Sequence, residues 1–275
     1  MNYKRRNTLE EKSKKSFNIL GISIWKLCAY FIIYSFLGYI VETLFGIATK
    51  GLWECRQSFL YGPFCGIYGM GAVAIIIFSK YFRKNNFTFF LGGFIIGSIT
   101  EYLVSFLVEI MIGTRWWEYS DRLLNVNGRI CLIFSIFWGV LTLFLIKFFN
   151  PKIDKIFEKL KEKISIKALK IIILIVIIFL FIDCIATCYA QKQFINRMIV
   201  EKGIEVENKQ EIIESYEKTY NNEFISNFIY TLWNDKKMIK TFPNMKIEDV
   251  NNNIIYIDSL LPDIQPYYLK VFDKK

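Results

Sequence analysis

The sequence predicts an all-α fold: a polytopic transmembrane helical bundle of about five spans with a C-terminal extracytoplasmic tail. The 275-residue chain is 53% hydrophobic and 17% aromatic. Its Leu, Ile and Phe residues gather in blocks of about 20 residues, the length that crosses a hydrocarbon core of about 30 Å. Its basic residues gather between those blocks, as they do where positive charge sets the orientation of a membrane protein.

The second of the predicted spans is irregular. The five apolar blocks are 25–48, 59–79, 87–112, 130–149 and 168–190. Pro63 and several neighbouring glycines interrupt the first half of the second block, which either crosses with an irregular start or is partly re-entrant. We expect a full crossing, because re-entry would place Lys80, Arg83 and Lys84 on the outer side of the membrane.

The density of basic residues alternates from one connection to the next, which predicts a cytoplasmic N-terminus and an extracytoplasmic C-terminus. The predicted parts are a basic cytoplasmic segment 1–24, a four-span core 25–149, a lysine-rich cytoplasmic linker 150–167, a fifth span 168–190, and an extracytoplasmic tail or small domain 191–275. In this tail, "EIIESYEKTY" and "FISNFIYTLW" predict helices. The residues that follow alternate turn-formers with short apolar runs, a pattern typical of an extended or hairpin-like chain.

The composition excludes several classes of function. The chain has no histidine, which excludes Ser-His-Asp and Cys-His catalysis and argues against a zinc site. The net charge of +10 comes largely from clusters beside the spans, which favours the lipid bilayer over nucleic acid as a partner. No G-x-x-x-x-G-K-[ST] motif occurs, so the chain cannot bind ATP through a P-loop. We therefore expect no enzymatic activity, no metal and no cofactor.

Six ionisable residues are predicted to form a polar site near the outer face of the bundle. Charged side chains inside a membrane are costly, so each one needs a partner or a role. The candidate residues are Glu42, Glu101, Glu109, Arg115, Arg129 and Asp183. We expect Arg129 to meet one of the glutamates, and the resulting site to bind a solute or only to hold the bundle together.

Small and polar residues recur at intervals of three or four in four of the spans, so they line one face of each helix. The stripes are Ser35-Gly38-Glu42-Gly46, Gly97-Glu101-Ser105-Glu109, Ser135-Gly139-Thr142 and Asp183-Thr187-Gln191. Helices in lipid bury such faces against each other. The stripes are therefore expected either to pack a bundle held by buried ion pairs or to line a solute pathway.

The segment "GTRWWEYSDRLLNVNGRICL", residues 113–132, is predicted to connect the third and fourth spans on the outer side. Its tryptophans suit a membrane interface, and its Asn-Gly pair suits a tight turn. Together with three residues of the second span it forms a candidate gate or structural loop. The residues of this loop are Trp116, Trp117, Tyr119, Asn127, Gly128, Gly62, Pro63 and Tyr68.

Three strings, "YSFLGYIVETLF", "FLYGPFCGIYGMGA" and "RWWEYSDRLLNVNGRICLIFSIFWG", resemble the bacterial membrane-protein family known as putative ABC-transporter type IV, the CmpB-like permeases. The resemblance spans roughly residues 31–149. The matching residues are Gly38, Glu42, Gly62, Pro63, Tyr68, Gly69, Glu101, Arg115, Trp116, Trp117, Tyr119, Asn127, Gly128 and Arg129. The chain departs from the family at Gly66, where proline is usual, at the pair Gln57-Ser58, where Arg-Gly is common, and at Glu118, where aspartate is usual.

The resemblance implies a permease, or a permease-like component, in the cell membrane. Because the chain lacks a P-loop, an ABC system would need a separate ATPase subunit, which we expect to dock at residues 80–86 or at the lysine-rich linker. Two other functions stay open: a non-transporting scaffold or sensor whose buried charges are structural, and a histidine-free membrane enzyme acting on a lipid or cell-wall precursor. Homo-oligomerisation also stays open.

Overall fold

The computed structural model describes residues 18–82 and 84–273. Residues 1–17 of the predicted basic segment, and Arg83, lie outside these described residues. The helices are α1 Ile24–Lys50, α2 Gly66–Phe78, α3 Asn86–Ile112, α4 Leu132–Phe144, α5 Asn150–Lys163, α6 Ile166–Lys202, α7 Lys209–Tyr220, α8 Glu223–Leu232 and α9 Asp235–Thr241. The strands are β1 Asn18–Ile19, β2 Ile22–Ser23, β3 Leu52–Glu54, β4 Lys246–Glu248, β5 Ile254–Tyr256 and β6 Tyr267–Lys270.

Four helices are long and apolar enough to cross a membrane. They are α1, α3, the continuous helix Leu132–Lys163 that contains α4 and α5, and α6. The predicted spans 25–48, 87–112, 130–149 and 168–190 correspond to these four helices, which confirms a mainly helical fold with several apolar spans.

The second predicted span has a shorter helix than expected. Helix α2 has 13 residues, or about 20 Å of length, which is less than the thickness of a bilayer core. The chain before it is irregular, and the backbone N–H of Cys65 donates to the carbonyl of Ser35, near the middle of α1 (2.8 Å). From there α2 runs back along α1, so that Ile75 and Leu27 share one core cluster. The predicted span 59–79 thus has the irregular start expected from Pro63 and the glycines, and its regular helix is limited to Gly66–Phe78.

The bundle has two ends, which are named here by the helix termini they contain. The proximal end holds the N-termini of α1 and α6 together with α5, because Trp25 packs on Phe157 and Leu169 joins the same cluster. The distal end holds the C-termini of α1, α3 and α6 and the N-terminus of α4. The residues after α6 also pack at the distal end, where the hydroxyl of Thr114 donates to the carbonyl of Lys246.

The segment predicted as a lysine-rich linker is a helix packed on the proximal end. A π-helical turn, Leu145–Phe149, joins α4 to α5 without a break. Helix α5 buries Ile153 and Phe157 on one face and carries its lysines on the other. Asp154 fixes this packing, because it accepts a hydrogen bond from the hydroxyl of Tyr30 and pairs with Lys26 (2.8 Å). The segment is therefore part of the folded bundle rather than a connection between its parts.

Helix α6 has 37 residues and continues past the predicted boundary at residue 190. Its last turns supply Phe194, Met198 and Ile199 to the largest apolar cluster of the distal end. The same cluster contains Met238 of α9 and Leu60, which precedes α2. The C-terminal region is consequently built on the end of the fifth predicted span and on the membrane core.

The elements of the C-terminal region agree with their sequence patterns. The two predicted helices correspond to α7 and α8, and the predicted hairpin is the antiparallel pair β4–β5, in which Ile247 lies opposite Ile255. Strand β6 pairs antiparallel with β3, which directly follows α1. This pairing anchors the end of the chain to the distal end of the bundle.

The polar and small stripes are buried between helices, as predicted. A Cβ atom on Gly97 would lie 2.3 Å from Cγ of Trp138, and one on Gly38 would lie 2.3 Å from Cβ of Tyr68. The hydroxyl of Ser98 donates to that of Ser135 across the contact between α3 and α4 (2.7 Å). Close helix packing therefore depends on these glycines and hydroxyls.

Candidate functional site

The six predicted ionisable residues lie in three separate places. Glu109, Arg115 and Arg129 form one cluster, Glu42 and Glu101 line a cavity, and Asp183 contacts the irregular segment before α2. The six residues thus do not share one set of contacts, because Glu109, Glu101 and Asp183 each meet partners from different elements. Each group is described below by its own contacts.

The first group is an ion-pair cluster at the distal end of α3. Glu109 pairs with Nε of Arg115 (3.0 Å) and with Nη2 of Arg129, and Arg115 also pairs with Glu118 (2.7 Å). Arg129 is buried, and its Nη1 donates to the hydroxyl of Ser105 (3.3 Å). Of the three acids expected near Arg129, Glu109 is the one that it meets. The two positive and two negative charges of this cluster balance, and its ion pairs join the 113–131 segment to α3.

The second group is Asp183 of α6. Its carboxylate accepts the backbone N–H of Tyr61 (3.1 Å), and one turn later the hydroxyl of Thr187 accepts the backbone N–H of Leu60 (2.8 Å). An irregular backbone within a membrane bundle must have its polar groups satisfied by protein. Asp183 therefore satisfies a backbone N–H of the irregular segment before α2. It does not line the cavity that contains Glu42 and Glu101.

The third group is a pair of carboxylates that lack ion-pair partners. Glu42 accepts a hydrogen bond from the hydroxyl of Tyr68 (2.7 Å). Glu101 accepts one from the hydroxyl of Tyr119 (3.2 Å) and one from Nε1 of Trp138 (3.2 Å). Within residues 18–82 and 84–273, no lysine or arginine forms an ion pair with either carboxylate. A bound cation would supply the ion-pair partner that both carboxylates lack.

Glu42 and Glu101 line the same cavity of about 310 Å³. Its walls come from α1, from the segment before α2 and the start of that helix, from α3, from the 113–131 segment and from α4. Residues 241–245, between α9 and β4, complete the wall at the distal end. The rings of Tyr68 and Trp138 lie 5.6 Å apart, and the ring of Tyr119 stacks on Phe134 at 4.7 Å. Aromatic packing thus fixes the donors that hold the two carboxylates.

Hydrogen bonds of the predicted loop residues hold the 113–131 segment together and attach it to α3 and α6. Trp116 donates through Nε1 to the side chain of Gln191 on α6 (2.9 Å), and Trp117 donates to the carbonyl of Arg129 (2.8 Å). The side chain of Asn127 donates to the hydroxyl of Tyr102 on α3 (3.0 Å). The segment is folded over the distal end by these contacts, and both tryptophans line the cavity.

Asn127 and Gly128 both have positive φ angles, of 51° and 66°. Asparagine and glycine adopt this region more readily than other residues. A Cβ on Gly128 would also lie 1.7 Å from Oε1 of Glu118. The predicted tight turn before the fourth span is therefore confirmed, and it places Glu118 against the turn and beside Arg115.

Of the three predicted residues in the second span, only Tyr68 reaches the site. Gly62 has a φ of 82°, and its carbonyl accepts the N–H of Phe64 around the exposed Pro63 (3.0 Å). These two residues turn the chain so that Cys65 can start α2 beside α1. Gly62 and Pro63 shape the wall without contacting the cavity, whereas Tyr68 lines it.

Tyr119 remains a hydrogen-bond donor at neutral pH. Burial, and then the nearby carboxylates of Glu101 and Glu42, raise the pKa of its hydroxyl well above the ordinary value. A neutral phenol can donate a hydrogen bond to a carboxylate, but it cannot compensate the negative charge. The hydroxyl therefore orients Glu101 while leaving the cavity acidic.

The C-terminal region contributes to the cavity, which was not predicted from the sequence. The residues concerned are Thr241, Phe242, Pro243, Asn244 and Met245. Their only local signal is the "FPN" turn pattern, which does not indicate what the turn packs against. Asn244 accepts a hydrogen bond from Nζ of Lys50 (2.7 Å) and donates one to Glu54 (3.3 Å), so it is fixed at the distal end of α1.

A second cavity, of about 590 Å³, adjoins the first. Arg56, Trp116, Trp117, Pro243 and Asn244 line both cavities. The second cavity lies between the end of α1, the 113–131 segment and the C-terminal region, and its charged residues include Lys50, Glu54 and Lys246. It forms a vestibule between the distal surface and the first cavity, which is called the inner cavity from here on.

Apolar helices of spanning length and a charged, aromatic cavity between them define a multi-helix membrane protein. The chain belongs to the family described as "Putative ABC-transporter type IV", whose sequence profile matches residues 29–188. The match covers α1 to α5 and most of α6, including the residues of the inner cavity up to Trp138. Residues 241–245 lie outside it. No curated protein and no solved structure matches the chain.

Proposed function

We propose that the protein is the permease component of an ABC-type transporter in the cell membrane, without enzymatic activity of its own. Its solute site is the inner cavity, and its mouth is the vestibule. The observation that carries this proposal is the pair of carboxylates, Glu42 and Glu101, which line one cavity and have no ion-pair partner. Uncompensated acids inside a membrane protein are costly, and they commonly mark a solute or ion pathway.

The distal end faces outward in this proposal. Basic residues are dense in the sequence before α1 and along α5. Because α1 begins at the proximal end and α5 packs there, this distribution favours a cytoplasmic proximal end. Because the chain has no P-loop, ATP hydrolysis requires a separate subunit. The exposed lysine face of α5, with residues 80–82 and 84–86, offers that subunit a docking surface on the cytoplasmic side.

Cysteine labelling tests this orientation. Asp121→Cys in the 113–131 segment, Glu214→Cys on α7 and Lys155→Cys on α5 replace exposed residues, in a background where the half-exposed Cys28, Cys184 and Cys188 are replaced by alanine. We expect a membrane-impermeant maleimide to label the first two in intact cells and the third only after permeabilisation. Labelling of Asp121→Cys and Lys155→Cys from the same side would contradict the topology.

Solute flux tests the function. Mass spectrometry would compare the solutes of the medium and of the cells between a strain that expresses the protein and one that does not. For any solute that differs, we expect Glu101→Gln or Glu42→Gln to lower the flux about tenfold or more, since a lost charged interaction of about 1.5–3 kcal/mol corresponds to that factor. Glu214→Gln, an exposed change on α7, is the matched control.

The alternative function is a non-transporting scaffold or sensor. The cluster of Glu109, Arg115, Glu118 and Arg129 favours this alternative. Its four charged side chains already pair with one another, so none of them needs a solute as its counter-ion. Under this alternative, Glu101→Gln and Glu42→Gln would lower abundance or melting temperature and change no flux. Unchanged flux at normal abundance would remove the two carboxylates from the transport mechanism.

A further inference from the structure

The inner cavity has an unusual lining for a site that holds two carboxylates. Nine of its 21 lining residues are aromatic, whereas 17% of the whole chain is aromatic. Tyr68, Tyr119 and Trp138 hydrogen-bond directly to the carboxylates, so aromatic rings and negative charge share one wall. Aromatic faces attract cations through the negative potential above the ring.

The charge of the cavity is negative when its neighbours are included. Arg56 also lines it, but Arg56 pairs with Glu54 (3.4 Å), which pairs in turn with Lys50 (2.9 Å). These three side chains carry one positive charge together, against two negative charges when the carboxyl groups of Glu42 and Glu101 are both ionised, as a bound cation would favour. A ligand with a single positive charge would balance the set.

The size and the donor set of the cavity argue for an organic cation rather than a metal ion. Divalent metal ions in proteins take six or more oxygen ligands or a compact cluster of His, Cys, Asp and Glu. No such cluster is found among residues 18–82 and 84–273. A volume of about 310 Å³ instead suits a small organic molecule, and an alkylated ammonium group combines positive charge with an apolar surface that rings can cover.

We propose that the inner cavity binds a small organic ammonium ion, with its cationic group between Glu42 and Glu101 and its alkyl groups against Tyr68, Tyr119 and Trp138. This rests on the proposed function, whose solute class it specifies. The binding step itself needs neither ATP nor the partner subunit, so it can be measured on the full-length chain alone.

Calorimetric titration of the purified full-length protein in lipid nanodiscs tests the proposal. The probe is choline, and its control is 3,3-dimethylbutan-1-ol, which has the same shape and hydroxyl group but no charge. We expect choline to bind at least about tenfold more tightly than the neutral analogue, as loss of a desolvated cation–π and charge interaction would give. Equal affinity, or no binding of choline, would overturn the proposal.

Variants separate charge from packing in this experiment. Glu101→Gln keeps the size of the side chain and should weaken choline binding about tenfold, without weakening that of the neutral analogue. Trp138→Phe keeps a ring and should retain most of the affinity, whereas Trp138→Leu should lose it. Glu214→Gln should leave both affinities unchanged. Equal effects of Trp138→Phe and Trp138→Leu would contradict a ring-face contact.

The two proposals fail in different ways. If choline does not bind but flux of a neutral or anionic solute depends on Glu101, the ammonium proposal is wrong and the permease proposal stands. If choline binds as expected but no solute flux depends on Glu42 or Glu101, the cavity is a cation site in a protein that does not transport through it. The binding assay and the flux assay therefore decide separate questions.

Discussion

Replacing Glu109 by glutamine should lower the free energy of unfolding by about 3 kcal/mol, since removing one partner of a buried ion pair leaves the other charge uncompensated. Arg129 is 8% exposed and would be left beside neutral groups: the new amide, the Ser105 hydroxyl and the rings of Tyr102 and Phe106. Glu109 itself keeps a side-chain exposure of 31%, which places the cost at the low end of the range for buried pairs. Equilibrium unfolding in lipid nanodiscs or mixed micelles measures it.

The control for this experiment is Glu158→Gln on α5, where Glu158 pairs with Lys161 and has a side-chain exposure of 67%. Exposed pairs contribute between about 0 and 1 kcal/mol, so the control should be close to the parent protein. Replacing Glu109 and Arg129 together by leucine should recover part of the loss, because no charge is then left unpaired. If Glu109→Gln and Glu158→Gln unfold alike, the cluster does not contribute to stability.

Replacing Gly97 by leucine should separate α3 from α4. A Cβ atom at this position would lie 2.3 Å from Cγ of Trp138 and 2.4 Å from its Cβ, and Trp138 in turn fills the space beside Gly71. Overpacking of this kind costs about 1–3 kcal/mol, or more where a backbone must move. We expect a large fall in melting temperature and in the yield of folded protein.

A compensating change distinguishes packing from function at this contact. Gly97→Leu combined with Trp138→Ala makes room for the new side chain, so it should recover most of the melting temperature. It should not recover solute flux, because alanine removes the ring of Trp138 from the cavity lining together with its hydrogen bond to Glu101. The control is Ile99→Leu on α3, because Ile99 is 54% exposed. It should change neither the melting temperature nor the solute flux. Recovery of flux in the double variant would remove Trp138 from the site.

The apolar spans and the turns could be predicted because their causes are local. Length and hydropathy indicate α1, α3, α4 and α6, and stripes of small residues indicate which faces are buried. Pro63 and its neighbouring glycines indicated the irregular start of the second span, and Asn127-Gly128 indicated the turn before the fourth. Each of these signals lies within a few residues of the structure that it specifies.

The separation of the six predicted ionisable residues into three groups could not be predicted, because it depends on which helices and loops contact one another in the folded protein. Asp183 was grouped with the glutamates since it lies at a similar depth, yet its partner is a backbone N–H of the irregular segment. Residues 241–245 were not considered for the site, because they lie more than 130 positions from Glu101 in the chain and carry no charge of their own. Contacts of this kind follow from tertiary packing, which one sequence does not encode in a readable local pattern.

The passage of α6 from the bundle into the C-terminal region determines the order in which the protein can be assembled. Phe194, Met198 and Ile199 of this helix, with Leu60 from the segment before α2, form much of the core on which α8 and α9 close. A fragment that begins after Lys202 would keep Ile229, Trp233 and Met238 of this cluster but would lose the part that α6 and Leu60 contribute, so we expect it to be much less stable than the same residues in the full-length chain. We therefore expect residues 203–273 to complete their native packing after α6 has been placed beside the segment before α2, and the wall that residues 241–245 add to the inner cavity to form at the same stage.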